Sequence, residues 1–121
     1  PLPPVKSRGG PPPQPVADWG QSHGLPIVRP DSINDAETIA RLAKWNPDLL
    51  VVCDYGQILK PETLATAALG GINLHGSLLP SYRGAAPVQR ALLSGDVETG
   101  VTAIHMTPKL DGGPTIAKRV T

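Results

Sequence analysis

The chain has 121 residues, enough for one domain with a real core, and its 40% hydrophobic content is ordinary. A net charge of +1 excludes nucleic-acid binding driven by bulk positive charge. One cysteine, Cys53, excludes an internal disulfide, and with no membrane-spanning run and no signal segment the expectation is a soluble, cytoplasmic protein.

Prolines crowd the opening residues at a density no packed helix or strand tolerates, so 1–12 is expected to be a flexible segment and 13–121 the folded domain. Gln14 to His23 suits a short helix closed by Gly24. Leu25 to Val28, bracketed by prolines, reads as an edge strand. From Asp35 to Lys44 the apolar positions recur at helical spacing, with Asn34 or Asp35 as the cap and Pro47 beyond the end. Asp48 to Tyr55 is an apolar run of the kind buried on both faces of a parallel sheet. Pro61 opens a helix through about Ala68, which Gly70 and Gly71 stop, and Ile72 to His75 is the next strand. This strand, helix, strand succession predicts a βαβ unit with a right-handed crossover. Pro87 to Leu93 predicts a helix, and Thr99 to Met106 and Thr115 to Val120 predict strands. The aggregate is an α/β protein with an open, mostly parallel, Rossmann-like sheet and flanking helices. Without Phe, and with two Trp and two Tyr, its core must be filled by Leu, Ile, Val and Ala.

The candidate chemistry lies at the end of the Ile72 to His75 strand. Asn73 and His75, two residues apart, point to the same side of an extended strand. In an open α/β sheet, ligands sit beyond the carboxyl ends of the strands. Asp111, in the turn Leu110-Asp-Gly-Gly-Pro114 after another strand, is placed to join them, and the three form a constellation for acyl-type transfer. His75, His105 and Asp111 lack metal-ligand spacing, and no glycine pair forms a phosphate-binding loop, so neither metal nor nucleotide is expected.

The segments Gly71-Ile-Asn-Leu-His-Gly-Ser-Leu-Leu-Pro-x-x-Arg-Gly-Ala-Ala-Pro87, Gly95-Asp-x-Glu-Thr-Gly-Val-Thr102 and Leu110-Asp-x-Gly113 closely resemble the methionyl-tRNA formyltransferases. More broadly they resemble the superfamily that uses 10-formyltetrahydrofolate. The resemblance runs from about Val5 to the C-terminus. It implies that Asn73, His75 and Asp111 are catalytic, and that Ser77, Leu78, Leu79 and Pro80 hold the folate. It further implies that the loop from Tyr55 to Leu59, with Tyr55, Gly56 and Ile58, approaches the pterin. The implied reaction is formyl transfer from 10-formyltetrahydrofolate to the amino group of initiator methionyl-tRNA, without a metal or a membrane. The alternatives are transfer to an amino-sugar nucleotide, or a truncated non-catalytic folate-binding domain. Lys6 and Arg8 would lie where the family carries a basic loop for tRNA phosphates. Members open with an additional strand, helix and strand and continue into a β-barrel; neither is matched here, so the expectation is a partial catalytic domain, incomplete at its N-terminus. Asp54 also departs from the small apolar residue that members carry before Tyr-Gly.

Overall fold

The structure, a computed structural model, describes residues 14–121. The segment 1–12, with Lys6 and Arg8, lies outside the described residues. Eight elements follow in order: α1 (Pro15–Ser22), α2 (Ala36–Trp45), β1 (Leu50–Cys53), α3 (Pro61–Leu64), β2 (Gly71–His75), α4 (Pro87–Ser94), β3 (Gly100–His105) and β4 (Thr115–Val120).

Local chemistry sets the helix ends. Pro15, Pro61 and Pro87 each stand in a first turn, where the missing N–H costs nothing. At α2 the Asp35 carboxylate accepts the Thr38 N–H at 2.6 Å, and Asn46, with φ of 46°, ends the helix in the left-handed region. The helix expected through Ala68 stops as a helix at Leu64. Its later N–H groups have other partners: Ala68 donates to the Pro47 carbonyl at 3.3 Å and Leu69 to that of Asp48 at 2.8 Å, tying the turn to the segment before β1.

The expected edge strand at Leu25 to Val28 does not form. Pro26 removes a donor from this stretch and Pro30 one just beyond it, and the stretch has no ladder partner. A groove of about 890 Å³ lies beside it, lined by Ile27 and Val28 and, from the outer edge of β1 onward, by Leu50, Val52, Tyr55 and Leu59.

The sheet order is β1-β2-β3-β4. β1 and β2 pair in parallel, around α3, as the expected unit requires. The other two pairings are antiparallel, so the sheet is mixed rather than mostly parallel, although the α/β class stands. β3 shows the reason in its own pattern, alternating buried and open positions as a one-sided strand does. The β2 and β3 register puts Asn73 opposite Ile104 and His75 opposite Thr102, so all four share one face. That face is the covered one: His75, Thr102 and Ile104 are buried there, and Leu79 of the adjoining loop, also buried, is tied to Thr102. On the opposite face Val51, Leu74 and Val101 stay open, Val51 at 62% exposure. The expected valine contribution to the core is therefore missing among the described residues, and buried hydroxyls (Thr38, Thr63, Ser77, Thr102) fill much of it instead. Such hydroxyls are stable only when hydrogen-bonded. Thr63, for example, donates to Asn34 Oδ1 at 2.8 Å.

Candidate active site

Asn73, His75 and Asp111 come together, but not by the expected route. Because β3 runs antiparallel to β2, its carboxyl end, His105, lies beside Ile72, at the far end of β2 from His75. The loop from Met106 to Pro114 has to fold back across the covered face to bring Asp111 to the other two. The Pro114 carbonyl accepts the His105 N–H at 2.9 Å and closes that loop at its base. Gly113 makes the closure possible: a Cβ there would lie 1.8 Å from the His105 carbonyl oxygen. Asp111 itself has φ of 45°, a left-handed conformation that a short polar side chain tolerates better than most.

The carboxylate of Asp111 is the centre of the cluster. Oδ1 accepts from Asn73 Nδ2 at 3.3 Å and Oδ2 from the Gly84 N–H at 2.8 Å. His75 Nδ1 stands 3.6 Å from Oδ2, an ion-pair distance when the ring is charged. Both side chains are almost wholly shielded, at 7% and 8% exposure, where charge interactions are screened least by solvent. The other ring nitrogen, Nε2, is 2.9 Å from the Tyr82 carbonyl. A carbonyl only accepts, so Nε2 carries a hydrogen, and a doubly protonated ring would serve both oxygens.

The residues expected to hold folate fall into two places. Ser77 is fully buried and its hydroxyl donates to the Ser81 carbonyl at 2.6 Å. The Leu79 N–H donates to Thr102 Oγ1, and its carbonyl accepts from Lys118. Leu78 is half-buried against Gly100, and Pro80 is exposed. Tyr55 and Gly56 line the groove beside β1, and burial raises the Tyr55 phenol above its ordinary value of 10.0. Ile58 is 71% exposed, its carbonyl accepting from Asn34 Nδ2 at 2.9 Å. Both groups follow the carboxyl ends of the parallel strands β1 and β2, but the groove itself includes none of Asn73, His75, Asp111 or Ser77 to Pro80. Asp54 has φ of 47° directly after β1. His105, weighed as a metal ligand, alternates to the face opposite His75. Among the described residues no group of three or more such ligands is gathered.

Sequence reading missed Tyr82, Gly84, Thr102 and Lys118, because what each supplies or fastens is largely backbone. Arg83 anchors the same turn, donating from Nε to the Asp111 carbonyl at 3.1 Å.

The family model for formyl transferases matches residues 5–121. The chain belongs to the formyl transferase family. It is 77% identical over all 121 residues to the methionyl-tRNA formyltransferase of Rhodopirellula baltica, spanning 36% of that protein's length. It is 49% identical over 107 residues to that of Methylococcus capsulatus, covering 88% of this chain and 35% of that one. Among solved structures, the phosphoribosylglycinamide formyltransferase of Bacillus halodurans superposes with a TM-score of 0.77 at 25% identity, covering 91% of this chain and 60% of that one. The mixed sheet with flanking helices is thus the formyl transferase fold.

Proposed function

We propose that this chain carries the reacting centre of a cytoplasmic enzyme that transfers a formyl group from 10-formyltetrahydrofolate to the amino group of initiator methionyl-tRNA. The observation that supports it most is the meeting of Asn73, His75 and Asp111 in one cluster, Asn73 hydrogen-bonded to Asp111 and His75 at ion-pair distance from it, on a chain whose relatives with that name reach 77% identity. The catalytic portion is 13–121. No metal takes part.

Attack by an amine on a formyl group puts negative charge on the carbonyl oxygen, and the site has donors to meet it. Asn73 spends one amide hydrogen on Asp111, which leaves the other for that oxygen. His75, when its ring is protonated at both nitrogens, adds an Nδ1–H beside Asp111. Donors fixed in a shielded site contribute more to such charge than they would in water. Asp111 orients both groups and takes the proton released by the attacking amine, passing it towards the departing folate nitrogen. The new bond is formyl carbon to amine nitrogen, the broken one formyl carbon to folate nitrogen, and the proton moves between the two nitrogens. Ser77 to Pro80 and the Tyr55, Gly56 and Ile58 loop hold the folate.

The test is transfer of a radiolabelled formyl group by the natural gene product to charged initiator tRNA, with glycinamide ribonucleotide and an amino-sugar nucleotide as competing acceptors. Labelling of the tRNA alone is expected, and His75→Ala should lower kcat/KM by about 10²- to 10³-fold. Preferential labelling of another acceptor, or an unchanged rate in the variant, would overturn the reading.

A further inference from the structure

Thr102 is fully buried and sits directly opposite His75 in the ladder between β2 and β3. Its hydroxyl is used twice: it donates to the Ser77 carbonyl at 2.7 Å and accepts the Leu79 N–H at 3.0 Å. Both partners belong to the loop that leaves His75. That loop starts on the backbone of His75, whose carbonyl accepts the Ser77 N–H at 2.9 Å. It then closes on itself, Ser77 Oγ donating to the Ser81 carbonyl at 2.6 Å and the Ser81 N–H to that of Leu78 at 3.2 Å. One residue later it ends on the ring of His75, with the Tyr82 carbonyl 2.9 Å from Nε2. From β4, Lys118, the ladder partner of Thr102, adds a further tie by donating from Nζ to the Leu79 carbonyl at 2.5 Å. Leu78 fills the space over Gly100, where a Cβ would come within 2.8 Å of it.

We propose that Thr102 is a positioning residue for His75. Its hydroxyl pins the middle of a loop whose far end fixes the imidazole, so it determines that Nε2 carries a hydrogen and where Nδ1 points relative to Asp111. Which ring nitrogen is protonated follows from what the other one bonds, so a loosened loop frees the tautomer. A threonine needed for packing alone would be replaced by the isosteric valine without change at the ring.

The kinetic part of this inference rests on the proposed formyl transfer; the spectroscopic part does not. The experiment uses the natural gene product labelled with nitrogen-15 at histidine, as Thr102→Val, Thr102→Ser and Lys118→Met. In Thr102→Val the His75 signals should change from a single Nε2–H form to a tautomer mixture. The same variant should lose about tenfold in kcat, with KM for either substrate within a factor of about two, as expected when a group acts on the transition state. Thr102→Ser should restore both, and Lys118→Met should move both in the same direction by less. Wild-type His75 signals in a folded Thr102→Val protein would overturn the proposal. If that variant does not fold, wild-type signals in Lys118→Met would do so. Full activity in His75→Ala would instead remove the formyl-transfer reading while leaving the spectra to judge the positioning.

Discussion

Asp111 joins segments that are far apart in the chain, since its carboxylate meets Asn73 and Gly84 and faces His75, while its carbonyl receives Arg83. Two of these partners, Asn73 and Gly84, donate N–H groups to the carboxylate, one to each oxygen. In Asp111→Asn one oxygen becomes an NH₂, which opposes either the Asn73 amide or the Gly84 N–H, and like-to-like donors inside a shielded site are costly. We expect that variant to fold, as judged by circular dichroism, and to lose about 10²- to 10³-fold in kcat/KM. A loss under about twofold would contradict its place at the centre of the cluster. Asn73 and His75 were legible as a pair from their spacing alone, since alternation on a strand fixes their common side. Tyr82 and Thr102 were not, because the first acts through a carbonyl every residue has and the second through partners made accessible only by the fold.

At the scale of elements, the helices were read best where end signals agreed with periodicity. Asp35, Thr38 and Asn46 mark α2 at both ends, and α2 runs as Ala36–Trp45 against an expected Asp35 to Lys44. The misreadings have different sources: the Leu25 to Val28 stretch finds no ladder partner, whereas Ala68 and Leu69 donate to the carbonyls of Pro47 and Asp48 instead of continuing the helix. Strand direction was likewise invisible, because periodicity reports faces, not partners. The Asp35 cap gives a pH prediction. Its carboxyl is held below the ordinary 3.8 chiefly by the Thr38 N–H and then by the Thr38 hydroxyl. A lowered folded-state value means that the stability it adds is complete above 3.8 and is lost as pH falls through the folded value. Urea midpoints of Asp35→Ala and the parent should therefore differ at neutral pH and converge in acid. A constant difference down to the lowest pH would show that the cap is not the carboxylate.

For the whole molecule, a mixed sheet solves a problem that a mostly parallel one would have posed differently. Antiparallel β3 carries the chain away from His75, and the long return through Met106 to Pro114 is what lets an aspartate remote in sequence settle over Asn73 and His75. The covered face of the sheet therefore holds both core residues and the Asn73, His75 and Asp111 cluster, with the hydroxyls of Ser77 and Thr102 buried beside them. The central claim is that His75 and Asp111 work as one unit, and a double-mutant cycle on kcat/KM for formyl transfer measures this directly. With His75→Ala, Asp111→Ala and the pair, the double variant should cost about as much as the worse single one, as groups that act together do. Losses that multiply would mean that the two residues act independently, and the account of the site would be wrong.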